Sequence, residues 1–397
     1  MDGAKFAKML SDKHLFELDR MEYKYSIASV NEFTKLLRQN FAKPLPLDDF
    51  SSDELFYLPN LAQISTNGMK QLLSVPASNQ SFGLQAMTEE IHATFQIESI
   101  HSSRNSIRHI LNGYAPRNEE ESRIYGMKRG LDFIADRQNM ITEENLHQLY
   151  QISSGDYLPD EDRLLPDHFY RHDVVYVVGG EESREGLPAQ QLPDAMKRLV
   201  DFANAKDGIN ELHKAAILHF AFAYYHPYFD GNGRTARLLH LWYLVQQGYP
   251  AALFTPFSRY IAESKAAYYK AYDRVEKNAL ISGYTDVTPF LSYFCNEVYN
   301  RLQVDAAPPQ ADLQVYQTAF AEGKITEKER LLWEYVLSAY GAEEFTTKQL
   351  EKDFRNAAYA TIRTFVMKFH EMGLLTARKA GNRVFYRVGG TSDGRPL

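Results

Sequence analysis

Along most of this chain, apolar residues recur three and four positions apart, the spacing that gathers them on one face of a helix. Helices are predicted on that basis at residues 30–41, 85–110, 119–135, 142–153, 192–205 and 211–225. Thr142 ahead of Glu143 and Glu144 is a start signal, a capping threonine followed by acids in the first turn. A further helix is predicted from Arg234, with Leu238, Leu239, Leu241, Trp242, Leu244 and Val245 apolar and Gly248 as a stop. Residues 169–178 break the pattern. They are rich in aromatic and β-branched side chains and run into Gly179-Gly180, which is strand composition in a helical chain. Residues 258–279 return to a helix with a stripe of Tyr260, Tyr268, Tyr269 and Tyr272, an arrangement that ordinarily packs.

The two ends differ from the middle. Residues 1–84 mix short helical patterns with breakers at Pro44, Pro46, Pro59 and Pro76, and read as a helical extension packed on the main domain. Ala306-Ala307-Pro308-Pro309 marks a linker. Beyond it, helices are predicted at 326–340, 346–354 and 356–372, with Gly373 as the last stop. Two alternating segments, 374–378 and 383–387, then flank Gly381-Asn382, a turn pair. The expected boundaries are 1–84, 85–305, 306–324, 325–390 and a flexible tail at 391–397.

Composition narrows the class of protein. With 44% hydrophobic and 24% charged residues, the 397-residue chain is ordinary for a globular protein of two or three domains. The net charge of −7 gives no general reason to expect nucleic acid, although residues 325–397 hold 12 Lys+Arg against 9 Asp+Glu. One cysteine, Cys295, excludes an internal disulfide and fits a reducing compartment. No apolar run approaches the roughly 18–20 residues of a membrane span, so a cytoplasmic protein without a membrane partner is expected.

The chemistry gathers in His226-Pro227-Tyr228-Phe229-Asp230-Gly231-Asn232-Gly233-Arg234-Thr235-Ala236-Arg237. Pro227 should end the preceding helix at His226. Gly231, Asn232 and Gly233 let successive N–H groups point into one concavity at the start of the next helix, where anions are attracted. Arg234 and Arg237 lie three apart and can turn both guanidiniums into that pocket, a set suited to a polyphosphate. Asp230 is a lone carboxylate of the kind that shares Mg²⁺ with phosphate oxygens. His226 is available to take a proton. Together these groups read as nucleotidyl or phosphoryl transfer.

The stretch resembles the Fic-domain signature HPFx(D/E)GNGRxxR, with Tyr228 as the one aromatic variation. The resemblance spans about residues 85–302 and is sharp at the motif. It implies a mainly α fold, an all-helical core with a β-hairpin flap, and the transfer of AMP from ATP to a protein hydroxyl. Thr94 and Glu98 match the spacing of the family's inhibitory helix, (S/T)xxxE(G/N), whereas Ser99 departs from it. The implied role of Glu98 is to pair with Arg237 and occupy the γ-phosphate position; the ordinary alternative is a glutamate on a solvated helix face. Residues 169–178 resemble the flap, which implies target docking by Tyr170, Arg171, His172 and Val174. Tyr260 is implied near the adenine.

The C-terminal pattern resembles a winged helix-turn-helix domain. Arg363 and Lys368 on its third helix, with Arg378, Lys379 and Arg383 on the wing, would meet DNA. Met367, Phe365 and Phe369 are core-like, so docking of a protein stands equally. Three functions remain open from sequence: an adenylyltransferase acting on Tyr, Thr or Ser of a target or of itself and restrained by Glu98, an enzyme removing AMP at the same site, and a DNA-binding regulator with a self-modifying core. The target and the oligomeric state, a homodimer included, stay open too.

Overall fold

A computed structural model describes residues 1–51, 53–65, 72, 81–177, 184–249, 251–302, 310–340, 344–354 and 356–389. The fold is mainly helical, with three two-stranded hairpins among the described residues. Helices α1 (Gly3–Leu10), α2 (Leu18–Tyr25) and α3 (Ile27–Phe41) precede the first hairpin, β1 (Lys43–Asp48) and β2 (Glu54–Tyr57). Then come α4 (Ser81–Ile97), α5 (Arg104–Leu111), α6 (Glu119–Ala135) and α7 (Glu143–Ser153). A short hairpin, β3 (Tyr176–Val177) with β4 (Arg184–Glu185), leads into α8 (Leu192–Asn204), α9 (Glu211–Tyr225) and α10 (Asn232–Gln246). The middle of the chain closes with α11 (Phe257–Glu263), α12 (Lys265–Ser282) and α13 (Thr288–Tyr293). Helices α14 (Gln310–Ala321), α15 (Glu327–Ala339), α16 (Thr347–Phe354) and α17 (Tyr359–Glu371) precede the last hairpin, β5 (Leu375–Ala380) and β6 (Arg383–Val388).

The centre is the pair α9 and α10, buried at nearly every position rather than along one stripe. A helix apolar all round must be covered on all sides. Here α6, α7 and α8 cover the pair together with α12 and α13, in one continuous core. Lys214 and His219 are polar residues inside it that find partners. Lys214 donates to the Ala205 carbonyl at 2.6 Å and meets Asp207 at 3.0 Å. His219 contacts the Tyr268 hydroxyl at 2.8 Å. Residues Ile325–Leu375 build a second core, with Leu332, Val336, Ile362, Phe365, Val366 and Phe369 fully covered.

Four differences from the sequence-based expectations have local causes. Residues 43–48, expected as part of a helical extension, form a strand. Pro44 and Pro46 alternate with Leu45 and Leu47, which are buried, so the prolines occupy the outward positions of a strand. Among the described residues of 169–178, only Tyr176–Val177 pairs, with Arg184–Glu185, so that part of the flap is less of a strand than its composition suggests; Val178 and Gly179-Gly180 lie outside the described residues. Gln310–Ala321 is helical where a linker was expected to run to residue 324; Ala306–Pro309 and the tail beyond Gly389 lie outside the described residues.

The fourth difference matters most. Residues 85–110, predicted as one helix, break after Ile97. Ile100 N–H bonds back to the Phe95 carbonyl at 2.9 Å and Ser99 N–H to the Gln96 carbonyl at 3.2 Å, the paired bonds that close a helix C-terminus. Ser99 takes the left-handed conformation that this closure requires, with φ 58°. The family motif has Gly or Asn here, the residues that tolerate that conformation best. Replacing Ser99 by Gly should therefore raise the unfolding free energy by about 1 kcal/mol in urea titrations. A loss of stability would instead mean that the bond from Lys265 Nζ to the Ser99 hydroxyl dominates.

Candidate active site

The loop between α9 and α10 has two left-handed residues. His226 closes α9 at φ 56°, ψ 61°, and Gly231 opens α10 at φ 83°. The asparagine between the glycines has a different task from the one its place in the motif suggests. Asn232 is buried; its Oδ1 accepts from Tyr228 N–H at 2.9 Å and its Nδ2 donates to the Tyr228 carbonyl at 2.7 Å. It ties the loop shut from within. Gly231 does not tolerate a side chain, since a Cβ would sit 2.7 Å from Ser154 Cβ. The first helical bond of α10 is Thr235 N–H to the Gly231 carbonyl. The N–H groups of residues 232–234 thus have no acceptor within the helix. Unpaired donors at a helix start are of the kind that attracts an anion.

Two arginines and two carboxylates meet at that helix end. Glu98, at the end of α4, places Oε2 2.8 Å from Arg234 Nε and pairs its Oε1 with Arg237 Nη2. Arg234 Nη2 also reaches Asp230 Oδ2 at 2.9 Å. Both arginine side chains are 2–3% exposed, whereas Asp230 is 52% exposed. The arginines are therefore fixed and Asp230 faces outward. Gly233 is the neighbour that makes this fit possible, because a Cβ there would lie 2.6 Å from Glu98 Oε1.

His226 is largely buried. Its Nδ1 lies 3.3 Å from the Ala223 carbonyl, which can only accept, so Nδ1 carries the hydrogen and Nε2 has the lone pair. Burial, reinforced by the positive charge of Arg184, pushes its pKa down to about 4. At neutral pH the imidazole is uncharged and able to accept a proton.

Residues 140–244 match the model of the Fic/DOC family. Among curated proteins, Protein adenylyltransferase fic-1 of Caenorhabditis elegans is 30% identical over 180 residues, 44% of this chain and 31% of that protein. Protein adenylyltransferase Fic of Drosophila willistoni is 29% identical over 144 residues, 34% of this chain and 26% of that protein. The chain carries a Fic domain. The matched stretch spans 26–31% of those two relatives' own lengths. A solved Fic family protein from Desulfovibrio desulfuricans G20 shares the fold, at TM-score 0.51 and 17% identity, over 84% of this chain and 98% of that one.

Within the Fic domain, the remaining sequence-predicted residues separate into two groups. Tyr170 and Arg171 face inward. Tyr170 donates to Glu143 Oε2 at 2.8 Å, and Arg171, 2% exposed, bonds to carbonyls around His226. His172 and Val174 are the exposed members of the flap set, and the His172 ring meets Phe229 edge-on at 5.3 Å. Tyr260 is buried on α11 with the guanidiniums of Arg259 and Arg301 over its ring, a packing position. Tyr228, the variant aromatic of the motif, stacks on Tyr150 at 3.6 Å. Neither hydroxyl has a hydrogen-bond partner among the described residues.

Sequence reasoning missed Glu90 and Ser258. Glu90 accepts from Ser258 N–H at 2.9 Å and from its hydroxyl, and Ser258 in turn meets Thr94, which accepts from Arg237 Nε at 3.2 Å. Burial pushes the Glu90 carboxyl up, against those hydrogen bonds. Glu90, Thr94 and Glu98 are spaced four apart on one helix face. That spacing was the available signal, and only the three-dimensional position of Ser258 reveals its use.

Burial holds His219, His226 and His240 neutral in the fold, with His226 at about 4 and His240 at about 3. In the unfolded chain they protonate near pH 6.5. The unfolded state therefore binds more protons as pH falls, and stability must fall with it. Between pH 6.5 and pH 5 each of the three should cost up to about 2 kcal/mol. Urea unfolding at both pH values tests this, and His226→Gln should flatten the slope by one histidine's share.

Proposed function

We propose that this Fic domain transfers AMP from ATP to a hydroxyl of a protein, with Glu98 as its restraint. The observation that carries the reading is the Glu98 carboxylate seated between Arg234 and Arg237 at the N-terminus of α10. Two buried guanidiniums beside unpaired helix N–H groups suit a polyphosphate, and a carboxylate occupying them suits a built-in competitor. The curated relatives, named protein adenylyltransferase, support the reaction type.

In this mechanism, N–H groups of residues 232–234 and the guanidiniums of Arg234 and Arg237 hold the phosphates. Asp230, outward-facing beside them, is a carboxylate that would hold a Mg²⁺, whose charge would offset that of the phosphates. His226 Nε2 accepts the proton of a Tyr, Thr or Ser hydroxyl. The hydroxyl oxygen bonds to the α-phosphorus as the bond to the bridging oxygen breaks, and pyrophosphate leaves. His172 and Val174 on the flap would guide the incoming segment along β3 by backbone hydrogen bonds. Tyr260 is kept as an adenine-side candidate beneath Arg259 and Arg301.

The seated Glu98 also favours a second reading, in which it positions a water that removes AMP from a modified protein. For the C-terminal part, three helices and the hairpin β5–β6 support a winged helix-turn-helix. Arg363, Lys379 and Arg383 are exposed there, whereas Lys368 pairs with Glu329 and Arg378 with Glu344. Two of the five expected basic residues are thus already paired, which favours a protein partner over DNA. The single cysteine, Cys295, fits a reducing compartment, and the cytoplasm is the proposed location. Among the described residues no helix is long and apolar enough to cross a membrane.

Intact-mass spectrometry after incubation with ATP and Mg²⁺ tests the proposal. Glu98→Gly should gain the mass of one AMP, the parent should gain little, and Glu98→Gly/His226→Ala none. Labelling that survives His226→Ala would remove His226 as the base. A parent as active as Glu98→Gly would remove the restraint.

A further inference from the structure

The last carbonyls of a helix have no acceptor role to play inside it, and burying them unpaired is costly. Helix α9 ends inside the protein at the catalytic histidine, so the partners of its final carbonyls decide where that histidine sits. Every carbonyl from Ala223 to Pro227 receives a donor from the two ends of the flap. Arg184 Nη2 lies 3.5 Å from the Ala223 carbonyl and its Nη1 3.0 Å from that of Tyr224. Leu187 N–H reaches the Tyr225 carbonyl at 3.1 Å. Arg171 Nε donates to the His226 carbonyl at 2.8 Å, and its own N–H to that of Pro227 at 2.9 Å.

The two flap ends are also tied to each other. Arg171 spends its remaining donors on the Asp173 carbonyl at 2.6 Å and on the Leu187 carbonyl. Gly186 leaves the room for this, since a Cβ would approach Arg171 Nη2 to 2.7 Å and His226 Cβ to 3.3 Å. Arg184 is held in turn by Glu276 of α12 at 2.5 Å and lies over the Tyr224 ring. Cations at this end of α9 also suit the negative pole of the helix.

We infer that the flap ends, residues 171–175 and 184–187, form the C-terminal cap of α9, and that Arg171 and Arg184 are positioning residues that hold His226 in its left-handed, reactive placement. The flap on this account is a splint for the base as well as a rail for the target. The catalytic part of the inference rests on the reading of His226 as the base.

The test uses the full chain carrying Glu98→Gly, with Arg171→Gln, Arg184→Gln and Arg171→Lys added singly. The maximal rate of self-labelling should fall about 100-fold in each Gln variant, the scale expected for a displaced base, while the half-saturating ATP concentration moves less than about threefold. Arg171→Lys, which can reach one carbonyl of the three, should recover part of the rate. Hydrogen exchange should rise together at 223–228 and at 184–187 and not elsewhere. An unchanged rate, or ATP half-saturation that worsens in step with the rate, would overturn the inference. If the Glu98→Gly parent labels with no nucleotide, the adenylyltransferase reading fails separately and exchange decides. A rise confined to the two segments supports the cap; no rise, or one across the whole chain, refutes it. Should Arg171→Gln not fold, Arg184→Gln carries the same comparison.

Discussion

Two helices buried on all sides meet end to end in a six-residue loop, and their unpaired backbone groups must be satisfied there. At the α9 end these are carbonyls, which require donors; at the α10 end they are N–H groups, which require acceptors. The rest of the site follows from that division. Arginines of the flap collect at the carbonyl end around His226. At the amide end the Glu98 carboxylate pairs with Arg234 and Arg237. On the proposed reading, the base and the phosphate cradle are built from opposite poles of two helices six residues apart.

The position of Glu98 depends on more than its own pairing. Thr94 contributes its hydroxyl to Arg237, and Glu90 anchors α4 to the start of α11 through Ser258. Three side chains on one face therefore index the helix against its neighbour. Helix α4 ends at Ile97 and Ser99 takes the left-handed turn that closes it, so Glu98 is the cap residue between them, with its carboxylate on both guanidiniums.

Much of this was legible in the sequence. Pro227, Gly231 and the arginine spacing announce a helix end, a turn and a helix start that all appear at those places, and Gly381-Asn382 forms the two-residue turn expected between β5 and β6. What periodicity misses is whatever depends on a distant partner. The Lys43–Asp48 strand hides behind two prolines because alternation, rather than propensity, defines it. Nothing local reveals that the Asn232 side chain closes the loop on Tyr228, whatever its backbone N–H does. Arg171, in a strand-like stretch, reads as a target-docking residue of the flap, since nothing local reveals the His226 and Pro227 carbonyls waiting at the end of another helix.

The break at Ser99 carries one more consequence. Glu98 directly follows Ile97, the last residue of α4, so its negative charge sits at the negative pole of that helix, where a carboxylate is disfavoured by about 0.3–1 kcal/mol. Its seat between Arg234 and Arg237 is held against that bias. The helix that delivers Glu98 to the arginines also pushes weakly against keeping it there, and the contact is a spring-loaded catch rather than a bolt.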